Sequence, residues 1–358
     1  MMTSIETHAN QGNPGETDPT KIVEAFGLRK CPKLVEQVDS SNIDIRVNAL
    51  GVICEEFSNP FSIQGCMQAG LARILAKMVA DPDYNTRERA SRALAMAAQD
   101  ANGCAAILAE PVILVEVLNG IKDPSDDVRG NIYDCLYYIS QTQAGKEASV
   151  VAGIVFNFVD ALTRDEVLLK VKILKTLYNI VGYPQGLEEA LGAGAIKVCI
   201  HLMKEPKKKK DISPHFQTLC AEAARTLGIL CFDEKGKEEA LEGEAIPLLV
   251  SLLKPETPRT TKISATMAVM AITSTVTGRI QMHQIETISK LSALVSEEDR
   301  SLRLNTLKVI TNIAVYPPIR ALLLEDVALI KLIERIKSND TLLEKHATLA
   351  LNAVHWQP

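Results

Sequence analysis

Apolar residues recur with helical spacing along nearly the whole chain, and the clearest instance lies between Asp165 and Gly186, DEVLLKVKILKTLYNIVGYPQG. Val171, Ile173, Leu174, Leu177 and Ile180 share one helical face, a polar turn precedes them, and Pro184 and Gly186 are expected to stop the helix. With Lys170 as reference, small or apolar residues follow three, four, six and seven positions later, at Ile173, Leu174, Thr176 and Leu177. The same pattern follows Arg46, Arg87, Arg129, Cys220, Lys262, Arg303 and Glu344. Successive references stand 41, 42, 41, 50, 42, 41 and 41 residues apart. One amphipathic unit cannot bury its own apolar face, so a fixed period predicts a stack of units.

A second marker fixes the register. Sixteen residues after the reference stands a glycine in five consecutive units: Gly103, Gly145, Gly186, Gly236 and Gly278. The expected reason is a positive φ that ends the long helix and lets the next unit begin; in the seventh unit Pro317 and Pro318 are expected to take over that stop. Between markers each unit reads as a short helix, a small-residue turn such as Gly70, Gly153, Gly194 or Gly243, and an apolar helix such as 245–253. A polar turn such as Asp81-Pro82 or Asp123-Pro124 then leads into the long helix. Three helices in about 41 residues exclude the roughly 33- and 34-residue ankyrin and tetratricopeptide periods and leave armadillo or HEAT repeats. The glycine after the long helix favours armadillo. The predicted fold is all-α: an armadillo-type right-handed superhelical solenoid of about eight three-helix repeats.

Residues 1–17 are polar and predict a disordered tail, with the solenoid spanning 18–358 and Asp18 capping a first helix that opens with Pro19. The 50-residue interval carries an insertion near 204–214 that includes KEPKKKK, Lys204 to Lys210. That run reads either as a nuclear-localisation patch or anionic docking loop, or as a solvated, self-repelling loop.

Composition narrows the functional classes. The chain is 47% hydrophobic but only 4% aromatic, so Leu, Ile, Val and Ala do the packing. Its net charge of -5 gives no global field for nucleic acid or an anionic membrane surface. The eight cysteines are scattered singly without a CxxC pair and read as small core residues of a reduced compartment. No apolar stretch is long enough for a membrane span; residues 148–159 are too short and contain Gly153 and Asn157. The six histidines form no HExxH, and GxGxxG, Walker A and GxSxG motifs are absent. Paired carboxylates such as Glu188-Glu189, Glu238-Glu239 and Glu297-Glu298 read as solvated faces. The sequence therefore predicts no catalytic activity, no cofactor and no metal.

Period and glycine marker together resemble the armadillo family, whose stacks carry a concave groove lined by their third helices. By similarity to armadillo importins, positions five and nine after the reference would hold a tryptophan and an asparagine that clamp an extended peptide. This chain departs from that pattern: its one tryptophan is Trp356, and only Asn179 and Asn312 fill the asparagine slot, where Met96 and Tyr138 stand in other units. Position five holds Arg92, Asp134, Lys175, Arg225 and Lys308 among others, four basic residues to one acidic. The expectation is a mildly basic stripe formed by Arg92, Lys175, Arg225 and Lys308 that receives an acidic segment of a partner. Trp356, with Val354, is expected to cover apolar surface at the last unit.

The entrance, Asp18-Pro19-Thr20-Lys21, Ala25-Phe26-Gly27, Arg29 and Pro32-Lys33-Leu34, resembles the armadillo proteins of ciliary and flagellar radial spokes. That resemblance implies a structural subunit of a large axonemal complex, with other radial spoke proteins as partners and no cofactor. The alternative is a soluble adaptor, similar to importin or catenin relatives, that binds one extended acidic peptide.

Overall fold

The computed structural model describes residues 27–204, 213–285, 287–336 and 340–357. Among these residues there are twenty-three α-helices and no strand. The predicted tail, the Asp18 cap and residues 205–212 of the lysine-rich insertion lie outside the described residues. Two compact units divide the chain, Met1–Cys135 and Leu136–Pro358, and the boundary falls within one helix.

The first unit holds α1 (Lys30–Val38), α2 (Ile43–Glu56), α3 (Pro60–Gln68), α4 (Leu71–Met78), α5 (Tyr84–Ala98), α6 (Ala101–Leu108), α7 (Pro111–Asn119) and most of α8 (Asp126–Ile139). The second continues with α9 (Gln143–Val151), α10 (Ile154–Arg164), α11 (Val167–Val181), α12 (Pro184–Gly192), α13 (Ala195–Met203) and α14 (Pro214–Leu230). It goes on through α15 (Glu234–Glu242), α16 (Ala245–Ser251), α17 (Arg259–Ile272), α18 (Val276–His283) and α19 (Ile288–Ser296). The last four are α20 (Arg300–Ile313), α21 (Pro317–Glu325), α22 (Val327–Glu334) and α23 (Thr341–Val354).

All eight predicted long helices are present as α2, α5, α8, α11, α14, α17, α20 and α23, with two shorter α-helices between each successive pair. Polar side chains decide where many of them start: Asn42 accepts from two amides of α2, Asp83 from Thr86, Asp299 from Leu302, and Asp340 from two amides of α23. From the second to the seventh long helix, the residues three, four, six and seven positions after the reference are all buried, as the repeat pattern requires. Each fully buried Leu or Ile among them contributes about 2 kcal/mol. Val52 in α2 and Leu351 in α23 are only half-buried, and Thr348 is exposed.

In the second unit the long helices pack in succession, α11 on α14, α14 on α17, α17 on α20 and α20 on α23. Small residues permit this. A Cβ at Gly228 of α14 would lie 3.3 Å from the Cα of Ala268 in α17, so the two backbones meet almost directly. In the first unit α2 packs on α5 in the same manner.

The five marker glycines stand where the period places them, but for a different reason. None has a positive φ. Each is the third residue of the short helix that follows a long one, and a Cβ there would come closer than 3.0 Å to a backbone carbonyl oxygen six residues earlier. Those carbonyls belong to Ala97, Ile139, Ile180, Leu230 and Ile272 at the ends of the long helices. The glycine is thus a close-approach residue between two helix ends. For the same reason Pro184 and Gly186 do not stop α11, which ends at Val181; they open α12 as its first and third residues. Pro317 and Pro318 likewise open α21.

Positive φ is used instead at the turn between the two short helices, at Gly70, Gly153 and Gly194. In the next unit the left-handed residue is Glu244, with φ 56, rather than Gly243. The apolar helix that follows ends at Ser251, two residues earlier than the pattern suggests. An L-residue in this region is strained, so Glu244→Gly should stabilise the protein by about 1 kcal/mol, read as a higher urea midpoint.

Candidate partner-binding face

The predicted groove residues divide between the two compact units. In the first, Arg92 and Met96 lie one turn apart on α5; Arg92 is exposed, and Met96 is half-buried. The Arg92 charge acts on Cys54, yet burial dominates and pushes that thiol up to about 11. Asp134 of α8 is half-buried.

In the second unit the half-buried Tyr138 meets Tyr137 edge-on, ring centroids 5.3 Å apart. Lys175 and Asn179 follow on α11, Arg225 on α14, and Lys308 and Asn312 on α20, all half-buried on the face their helices leave free of core packing. At the corresponding position α17 contributes Met267. The cations of this unit are therefore Lys175, Arg225 and Lys308, interrupted by a methionine.

Arg225 has a partner that the sequence reading did not anticipate. Its guanidinium carbon sits 3.7 Å from the ring centroid of Tyr178 on α11, and Nη1 lies 3.5 Å from Glu222 Oε2. Tyr178 stands eight positions after its reference and Arg225 five after the next, so the repeat register contains a signal for the pair. The stack fixes the plane of the guanidinium, which leaves a directed cation on the face rather than a mobile one. Lys175 stands three residues before Tyr178 on the same helix, close to one turn.

Both slot asparagines are turned back into the fold. Asn179 Nδ2 donates to Ser140 Oγ at 3.1 Å, and Asn312 Nδ2 donates to the Met270 carbonyl at 2.9 Å and to Thr273 Oγ1 at 3.4 Å. Each asparagine thereby ties its long helix to the end of the preceding one. Both amide nitrogens are thus engaged within the fold, which leaves the Oδ1 atoms as the groups a partner backbone would meet at this slot.

The Lys308 charge acts on His346 of α23. Burial holds the His346 imidazole below its ordinary value, and the Lys308 and Lys345 charges lower it further.

Trp356 does not close the last unit as expected. It is 55% exposed and lies beneath the Arg320 guanidinium, 4.9 Å from ring centroid to Cζ; Val354 alone is buried.

Six of the eight cysteines are buried and two half-buried, all with free thiols. Burial raises the thiols of Cys66, Cys135 and Cys231 and pushes Cys199 up to about 12, so these are packing residues rather than nucleophiles. Among the described residues no group of three or more His, Cys, Asp or Glu side chains is arranged to hold a metal ion. Among the described residues no single helix is long and apolar enough to cross a membrane.

The helical architecture is matched by known proteins. Radial spoke protein 14 of Chlamydomonas reinhardtii is 26% identical over 288 residues, which cover 80% of this chain and 64% of that protein. The chain thus spans less than two thirds of that relative's length. An engineered protein of known structure superposes with a TM-score of 0.80 at 20% identity, covering 91% of this chain and 78% of its own. A designed armadillo repeat protein gives a TM-score of 0.58 at 19% identity, covering 68% of this chain and 99% of its own. A related design, solved in complex with the peptide (KR)4, gives 0.58 at 19%, covering 67% and 99%. Residues 32–220, just over half of the chain, match the family model described as "Proteasome non-ATPase 26S subunit". The chain belongs to that family; its fold is that of armadillo-repeat proteins, and its sequence resembles radial spoke protein 14.

Proposed function

We propose that the protein is a non-catalytic scaffold subunit of the axonemal radial spoke, docking other spoke proteins and supporting regulation of ciliary and flagellar motility. The observation that supports this reading is the similarity to radial spoke protein 14 across 80% of the chain. Physical chemistry is in accord with it. Repeated long helices packed side by side present a broad surface of fixed side chains, and such a surface binds without a cofactor.

Within this reading, Lys175, Arg225 and Lys308 receive an acidic segment of a neighbouring spoke protein. In the first unit Arg92, Met96 and Asp134 offer a smaller, mixed surface. Lys175 and Arg225 stand on adjacent packed helices, and Arg225 is preoriented by Tyr178. Reversing both charges, Lys175→Glu with Arg225→Glu, should weaken capture of spoke proteins from an axonemal extract by about tenfold, while the melting temperature stays close to wild type. Unchanged capture would remove this face from the interaction.

A second reading is favoured by the family match over residues 32–220: a subunit or companion of the proteasome regulatory particle. A third is a soluble adaptor. The three separate on one fractionation of ciliated cells expressing a tagged copy. A spoke subunit stays with detergent-extracted axonemes, a proteasomal one co-sediments with the 26S particle, and an adaptor is released with the cytosol. Release from axonemes rejects the spoke reading.

A further inference from the structure

The first repeat brings two cysteines together. α1 packs on α3, and Gly65 makes room for the contact. A Cβ at Gly65 would stand 2.8 Å from Cys31 Sγ and 3.5 Å from Cys31 Cβ, so the missing side chain is what lets the Cys31 thiol lie against α3. Gly65 is the residue before Cys66. Cys31 Sγ also lies 3.9 Å from the carbonyl oxygen of Ser62, which stands one helical turn before Cys66 on the same side of α3. Burial raises the Cys66 thiol, and the neighbouring Cys31 sulfur raises it further, electrostatically and through a hydrogen bond between the two side chains. A polar chain holds the approach in place: Lys30 Nζ pairs with Glu56 Oε2 at 2.7 Å, and Ser62 Oγ donates to the same carboxylate oxygen at 2.9 Å.

Access to solvent separates this pair from the other neighbouring cysteines. Cys104 acts on Cys135 and Cys199 on Cys231, but all four are buried. Cys54 is half-buried like Cys31, yet the charges acting on it come from Arg92, Glu88, Arg89 and Glu55 rather than from a second sulfur. Of the eight cysteines, only Cys31 and Cys66 combine close sulfurs with a member that solvent reaches.

We propose that Cys31 and Cys66 are a hydroperoxide-sensitive pair whose disulfide fastens α1 to α3. Hydrogen peroxide meets the accessible Cys31 first. The Cys31 thiolate sulfur attacks one peroxide oxygen: an S–O bond forms, the O–O bond breaks, and the departing hydroxide takes up the proton that the thiol has released. Sulfur is thereby oxidised to a sulfenic acid and the peroxide is reduced. The Cys66 sulfur then attacks the sulfenic sulfur: the S–S bond forms, the S–O bond breaks, and the departing hydroxide leaves as water with the Cys66 proton. Two thiols and one peroxide become one disulfide and two waters. The burial that keeps Cys66 from reacting with species in solvent does not bar this step, because the sulfenic sulfur is held against it. This inference does not depend on the spoke reading.

The test uses the full chain, reduced, treated with hydrogen peroxide, alkylated at its remaining thiols and mapped by mass spectrometry. Trypsin with a glutamate-specific protease separates Cys66 from Cys54, since Glu55 and Glu56 lie between them. Two of the eight thiols should disappear, one cross-linked peptide pair should carry Cys31 and Cys66, and dithiothreitol should restore both. Amide exchange of α1, read at the buried Leu34, Val35 and Val38, should slow by about tenfold or more on oxidation. Cys66→Ser should leave Cys31 as a sulfenic acid that dimedone traps, and Cys31→Ser should leave Cys66 unoxidised at the same dose. Gly65→Ala, which displaces the Cys31 thiol, should slow disulfide formation by about tenfold. Cys31 is half-buried, so Cys31→Ser keeps the reduced melting temperature and carries the test even where Cys66→Ser does not fold. The proposal is overturned if all eight thiols survive, if the cross-link joins other cysteines or two chains, if Cys31 passes to sulfinic acid with Cys66 still free, or if α1 exchanges equally fast in both states.

Discussion

Replacing Gly145 with alanine should destabilise the protein by about 3 kcal/mol, near the upper end of overpacking effects. The added Cβ would press on the Ile139 carbonyl carbon and oxygen, which are backbone atoms at the end of α8 and cannot rotate aside. It would also lie 2.8 Å from Thr142 Oγ1, the side chain that caps α9 through the Gly145 amide at 2.9 Å. The short helix must therefore tilt away from the long one, breaking its cap and the packing beneath it. Gly236→Ala, against the Leu230 carbonyl, should behave alike. Gly192→Ala is the contrast: Gly192 closes α12 in open space with nothing within 4 Å, so alanine should be neutral or stabilising by up to about 1 kcal/mol. Urea denaturation of the three variants separates close approach from backbone conformation. If the marker glycines served a positive φ, Gly145→Ala would cost only the modest backbone term of about 1–2 kcal/mol.

The second large effect is expected at Asp123. The reference residue Arg87 donates from Nε to Asp123 Oδ2 at 2.6 Å and from Nη1 to the carbonyls of Asp81 and Pro82 at 3.0 and 3.1 Å. Asp123 also accepts from the Ser125 amide at 2.8 Å. Its side chain is 5% exposed and that of Arg87 15%, so removing the carboxylate strands a nearly buried guanidinium. Asp123→Ala should cost about 3–5 kcal/mol. Converting both residues to leucine should cost less than the single change, because no unpaired charge remains. The pair Arg164–Asp160, on the surface of one helix, should contribute only about 0–1 kcal/mol when broken. Equal losses at the two pairs would mean that burial does not govern their strength.

What the sequence made legible was governed by local periodicity. Apolar spacing sufficed for all eight long helices, since the second to the seventh bury the same four positions whatever they pack against and the two terminal ones depart at only one or two of them. The marker glycines were legible in place but not in cause, because a carbonyl six residues back is invisible without the helix crossing. Contacts between neighbouring repeats were least legible. Arg46 pairs with Asp81, Arg87 with Asp123 and Lys262 with Glu297, each a reference cation reaching a carboxylate 35 or 36 residues on. That recurrent spacing was available in the chain, but apolar periodicity carries no information about the charged residues that mark its start. The partners of the slot asparagines were illegible for a related reason: Ser140 and Thr273, which receive Asn179 and Asn312, lie in the preceding repeat. For Trp356, bulk suggested a cover, whereas its exposed ring instead supports Arg320.

Spoke membership and docking through the long-helix face meet in one measurement: cross-linking mass spectrometry on intact, detergent-extracted axonemes with an amine-reactive reagent. Lys175 and Lys308 lie on the second unit's long helices and carry primary amines within reach of such a reagent. Both lysines should cross-link to other radial spoke proteins, and the cross-links should be lost when the partner's acidic segment is removed. Absence of the chain from those axonemes, or cross-links to spoke proteins that leave both lysines unmodified, would contradict that expectation.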